Sequence, residues 1–168
     1  MNNAMRLVIL LLLSAWCFCS TAAPLAVNDT APEFSLSALD GINKVVLDDY
    51  KGKVVYLDFW ASWCIPCRRS FPFLNKLKAQ YSDKKFEIIS INLDQDASDA
   101  KQFLTQYPVL YPVAQGYNSD IQSLYNVLVM PTAYIIGKDG TVRIKHLGFK
   151  ESQQAYIEAI VDKLVSEF

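Results

Sequence analysis

Residues 57–67 read "LDFWASWCIPC" and set two cysteines, Cys64 and Cys67, two residues apart. Such a pair can hold a metal, staple a fold or pass electrons. Just upstream, Lys53 to Trp60 is a near-continuous apolar run rich in β-branched and aromatic residues, with one carboxylate, Asp58, inside it. That pattern predicts a strand buried on both faces. Downstream, Cys67, Phe71, Leu74, Leu77 and Tyr81 recur at helical spacing, so the pair opens an amphipathic helix. Pro72 falls inside this pattern and is expected to kink the helix rather than end it.

A cysteine is a nucleophile only as thiolate, and the unpaired N–H groups at a helix N-terminus favour that anion, lowering the pKa from about 8.5. Cys64 stands at that point, with Cys67 one turn further along the same face. This suits attack by an outer thiolate and resolution by an inner one. Arg68 and Arg69 oppose the helix dipole here. They either add positive potential beside the thiolate or form a solvated basic patch.

Further out, "SLSALDGINKVV" brackets Asp40-Gly41 and predicts a hairpin near the N-terminus. "FEIISINL", from Phe86, predicts a second buried strand. "DASDAKQFLTQY" predicts a short helix, "VLYPVAQG" a short strand and "SDIQSLYNV" a helical piece. "TAYII" and "TVRIKHLG" flank "GKDG" as a hairpin, and the tail carries Tyr156, Ile157, Ile160, Val161, Leu164, Val165 and Phe168 as an amphipathic helix. Strands alternating with helices describe an α/β fold with a mixed central sheet flanked by helices. With 168 residues, 20% charged, and a net charge of −1 without any basic run, the chain is sized for one domain and offers nothing to nucleic acid.

The first residues follow another pattern. "MNNAMR" is basic, "LVILLLLSAW" is continuously apolar, and "CSTAAP" is small and polar, the order of a secretory signal peptide. Ser20 and Ala22 fit a cut before Ala23. The run can also remain as an uncleaved anchor, although it falls short of the ~20 residues of a spanning helix. Removing it takes four cysteines to two, Cys64 and Cys67. A staple across so short a loop restricts the unfolded chain little. Structural zinc wants four ligands, and beyond the pair there is one histidine, His146, expected in an exposed or packing role. Cu(I), soft and content with few thiolates, stays open as an alternative ligand of the reduced pair.

"LDFWASWCIPC" resembles the active-site segment of thioredoxin-fold proteins. "VMPTAYII" resembles the segment that carries that family's cis-proline, here Pro131, and Asp58 stands where thioredoxins bury an acid. The N-terminal hairpin, the signal-like leader and the inserted helix and strand between Asp94 and Pro131 are similar to the exported TlpA/ResA type. Ala61 stands where a peroxiredoxin pattern needs threonine, which argues against peroxidase chemistry. The resemblance implies a signal peptide over 1–22, a thioredoxin-like domain over 23–168 and a periplasmic or otherwise extracytoplasmic location. It implies a thiol–disulfide oxidoreductase with Cys64 attacking, Cys67 resolving and Asp58 relaying a proton to or from Cys67. Trp63 would pack beside the sulfurs, Pro66 would fix the turn into the helix, and Met130 would pair its backbone with a substrate segment held across Cys64 by the geometry at Pro131. No cofactor and no resident metal are expected.

Two departures from the family bear on function. Ser70 stands where members dedicated to cytochrome c maturation carry glutamate, and Ser90 stands where thioredoxins carry the lysine paired with the buried acid. Ile65 and Pro66 supply neither charge nor donor for a thiolate, unlike the histidine of strongly oxidising relatives, so the pair is expected to act as a reductant. Its expected partners are thiols and disulfides of exported proteins, with a membrane thiol reductase of the DsbD/CcdA kind as electron donor, and the protein is expected to work as a monomer.

Overall fold

The computed structural model describes residues 24–167, so the expected signal segment over 1–22 lies outside the described residues. Strands β1 (Ser35–Ser37) and β2 (Lys44–Val46) pair antiparallel as the expected N-terminal hairpin. The main sheet holds β3 (Val54–Trp60), β4 (Phe86–Asn92), β5 (Val113–Gln115), β6 (Thr132–Ile136) and β7 (Val142–Leu147). Its order is β5-β4-β3-β6-β7, with β3, β4 and β5 parallel and β6 and β7 antiparallel. Helix α1 (Ile65–Gln80) crosses from β3 to β4, α2 (Ala97–Gln106) leads from β4 towards β5, α3 (Ile121–Leu124) is a single turn, and α4 (Gln154–Ser166) closes the chain.

Strand β3 sits at the centre of the sheet, which is why every one of its residues is buried and why its sequence shows no alternation. Its two faces feed different cores. Val55, Leu57 and Phe59 pack with Ile89, Ile91 and Tyr134 beneath the hairpin and α3. On the other face, Val54 and Tyr56 pack with Phe73, Leu74 and Leu77 of α1 and Ile157, Val161 and Leu164 of α4. At the carboxyl end of β3, Trp60 joins Cys64, Cys67, Phe71, Ala100 and Phe103 in a third cluster between α1 and α2.

Two details differ from what periodicity predicts and one agrees. Only Val113–Gln115 of "VLYPVAQG" enters the sheet, because Pro112 has no N–H to give the ladder. Helix α1 continues through Pro72 to Gln80, in keeping with the expectation that this proline does not end it. Tyr156 on α4 is exposed, and the stripe that packs is Ile157, Val161 and Leu164. The β6–β7 hairpin turns at Gly140, whose φ of +79° suits a residue without a Cβ. Residues beyond β1 reach the outer edge of β5, where Leu39 donates to the Val113 carbonyl at 2.8 Å and leaves less of that edge free for a stray strand.

Candidate active site

The carboxyl end of β3 delivers the chain into the cysteine pair, and the geometry there is tightly held. Cys64 is the N-cap of α1, and its Sγ accepts the Cys67 N–H at 3.2 Å. Pro66 lies in the first turn, where the missing N–H costs no helical bond and the fixed φ starts the helix. Cys64 and Cys67 are joined as a disulfide. Cys64 is 4% exposed and Cys67 fully covered, so the outer sulfur belongs to Cys64 and the inner one to Cys67. The Arg68 guanidinium sits 5.9 Å from the Phe103 ring and 5.4 Å from the Tyr107 ring, in cation–π contact with α2 and the residue that follows it.

One side chain that sequence reasoning did not single out anchors the approach to Cys64. Asp94, buried just after β4, accepts the Ser62 N–H at 3.1 and 3.0 Å with its two carboxylate oxygens and the Ser62 hydroxyl at 3.1 Å. Asn92 Nδ2 donates to the same carboxylate at 2.8 Å, and Asn92 Oδ1 accepts the Asp94 N–H at 3.1 Å. Leu93 N–H adds a bond to the Trp60 carbonyl at 2.8 Å. The only sequence signal was a pair of polar residues closing an otherwise apolar strand.

Asp58 lies within β3 between Tyr56, which packs on the body of α1, and Trp60, which packs on Cys67 and Phe71. It is 1% exposed, and burial alone pushes its carboxyl up to about 7. Its neighbours in register are Ser90 on β4 and Ala133 on β6, neither of them a cation. Ser70 is buried within α1, its hydroxyl bonded to the Cys67 carbonyl at 2.8 Å.

The Met130–Pro131 peptide is cis, as the resemblance implied. Pro131 is buried and its carbonyl accepts the Gly148 N–H at 2.7 Å. Met130 packs against the cluster that contains both cysteines, and its own N–H and C=O have no backbone partner among the described residues. Trp63, expected beside the sulfurs, is instead 68% exposed, like Ile65 at 68%, while Leu128 ahead of the cis bond is 82% exposed. The buried aromatic residues in the cluster that holds the cysteines are Trp60, Phe71 and Phe103. A cavity of about 720 Å³ between the hairpin, α2 and β5, lined by Leu39, Leu104 and Val113 among others, contains neither cysteine. Among the described residues no group of three or more His, Cys, Asp or Glu is placed to hold a metal ion, and no helix is long and apolar enough to cross a membrane.

The Redoxin family matches residues 26–161 of the chain. The chain is 35% identical over 164 residues to the thiol-disulfide oxidoreductase ResA of Bacillus cereus, covering 92% of this chain and 94% of that protein. It is 34% identical over 165 residues to the ResA protein of Geobacillus thermodenitrificans, covering 93% and 94%. A crystal structure from Chlorobium tepidum, described as a thiol:disulfide interchange protein DsbE, superposes with a TM-score of 0.81 at 40% identity, covering 84% of this chain and 99% of that one. A fold match of that extent, with a CxxC disulfide at the head of α1, places the chain in the Redoxin family of thioredoxin-fold proteins, as a thiol–disulfide oxidoreductase.

Proposed function

We propose that the chain is a protein-disulfide reductase acting on exported proteins outside the cytoplasm, with residues 1–22 as its export signal and 23–168 as the working domain. The observation that carries the mechanism is the placement of Cys64 at the N-cap of α1 with Cys67 covered behind it. In the dithiol state the Cys64 thiolate attacks a client disulfide, forming a mixed disulfide and releasing one client thiolate. Cys67 then gives its proton to the Asp58 carboxylate and attacks Cys64 Sγ. That expels the second client thiolate and leaves the Cys64–Cys67 disulfide, so two electrons have passed to the client. A membrane thiol reductase of the DsbD/CcdA kind returns them.

The client contacts belong to Trp63, Pro66, Met130 and Pro131. The free backbone groups of Met130 suit an extended segment added in β fashion, and the exposed Trp63, Ile65 and Leu128 make an apolar surface for its side chains. The protein works as a monomer, without cofactor.

Cys67→Ala tests this directly. It removes the resolving thiol and leaves the attacking one, so clients should accumulate covalently on Cys64 when the variant is expressed with its leader. The adducts should be reducible, include exported proteins or a membrane reductase, and be absent from the Cys64→Ala/Cys67→Ala double variant. Adducts with cytoplasmic proteins only would sink the exported role. Absence of any adduct, with tight Cu(I) retention by reduced protein, would replace the reductase reading with copper binding.

A further inference from the structure

Native interiors leave few buried polar atoms without a partner, and those few call for an explanation. Here several of them fall on one face of one sheet. Asp58 Oδ2, Ser90 Oγ and Tyr111 OH are buried and make no hydrogen bond among the described residues. Asp58 and Ser90 are partners in the β3–β4 ladder, so their side chains leave the sheet on the same side. Tyr111 packs in the cluster on that side with Tyr56, Ile88 and Ala133. The next residue, Pro112, accepts the Ser90 N–H at 2.9 Å, which ties the Tyr111 backbone to Ser90. Two hydroxyls and one carboxyl, each lacking a partner, therefore share one patch of the interior. An internal water is bound by two to four such groups.

We infer that the Ser90 and Tyr111 hydroxyls, through one internal water molecule, are the hydrogen-bond donors that hold the Asp58 carboxylate. They occupy the role that a charged neighbour would otherwise fill. The inference rests on the proton-handling role proposed for Asp58 and names the groups that make it workable. Burial, then the Asp58 charge, then Tyr56 push the Tyr111 phenol up, so it keeps its proton and donates whenever Asp58 is ionised. No charged group contributes to the position of Asp58. The other groups on this face are Tyr56 on β3 itself, Cys67 and the Trp60 Nε1–H towards α1, the apolar Ile157 and Val161 of α4, and His146 on β7. His146 is in register with Ala133, one strand beyond Asp58's own neighbour, with a buried Nε2 that also lacks a partner.

The test reads the carboxyl itself, in oxidised protein with ¹³C-labelled aspartate, the Asp58 signal being identified by its loss in Asp58→Asn. Burial alone puts this carboxyl at about 7, so with both donors in place the wild-type carboxyl should titrate below that value. Tyr111→Phe removes one oxygen from a packed ring, and Ser90→Ala removes one hydroxyl. Each deletes a donor to the charged form, so each should raise the midpoint by about one pH unit. Either variant suffices if the other fails to fold. The same upward shift should appear when Tyr111→Phe is made in a His146→Gln background. A midpoint unmoved by both hydroxyl deletions would overturn the inference, as would a shift that vanishes without His146. If the midpoint moves but the pH profile of the Cys67 resolving step does not, the hydroxyl network stands and the catalytic role of Asp58 falls.

Discussion

Asp58 is a carboxyl closed off from bulk solvent, and its energetics follow from that. Its folded pKa of about 7 lies above the ordinary 3.8, so between those values the native protein holds a proton that the unfolded chain has released. Stability contributed by the protonated form is therefore complete below about pH 4 and is lost as pH rises to about 7. Asp58→Asn keeps the shape and removes the titration. Its stability relative to wild type should rise across that window by up to about 4 kcal/mol, in urea unfolding of the oxidised proteins. A pH-independent difference between the two would mean that Asp58 is already ionised in the folded protein throughout that window. The same burial that penalises the anion makes the carboxyl a usable proton acceptor near neutrality. Stability and proton chemistry pull in opposite directions at this one residue.

At the scale of elements, the entry to α1 is fixed from two sides. The helix supplies its own N-cap through Cys64, and the end of β4 holds the preceding loop through Asp94 and Ser62. Because Asp94 gathers four hydrogen bonds in a nearly water-free position, losing its charge leaves buried donors unpaired. Asp94→Asn should cost about 2–3 kcal/mol of stability, and it should slow attack by Cys64 on a model disulfide more than Asp99→Asn on the exposed first turn of α2. Equal effects of the two substitutions would mean that the Asp94 contacts do not position Cys64. The helix side of this arrangement is local in the chain. The Asp94 side joins residues whose separation in sequence is 32.

For the whole molecule, the decisive quantity is the balance between its dithiol and disulfide forms. Ile65 and Pro66 bring no charge or donor to a thiolate, and Arg68 is engaged with the rings of Phe103 and Tyr107. With little to stabilise the reduced form, the reduction potential should lie well below the value of about −120 mV of a strong oxidant such as DsbA. By linkage the oxidised protein should then unfold at higher denaturant than the reduced one. Equilibration with glutathione, followed by tryptophan fluorescence, measures the first, and paired urea melts the second. A potential near −120 mV, or a more stable reduced form, would reverse the assigned direction of electron flow. What the sequence by itself determined is whatever is written in neighbouring residues. The near-continuous apolar run of β3, the helical stripe after Cys67 and the turn at Gly140 reveal their elements because burial and backbone preference act over a few residues at a time. The "WCIPC" stretch and a distant "VMPT" were enough to suggest the fold and the two sulfurs. Only the tertiary structure decided that Trp63 faces solvent while Trp60 joins the buried cluster of the cysteines, that Asp94 holds Ser62, and that Ser90 and Tyr111 share an interior patch with Asp58. Periodicity tells which side of a strand a residue leaves from. Which residue it meets there depends on strand order and register, set by the packing of the whole chain.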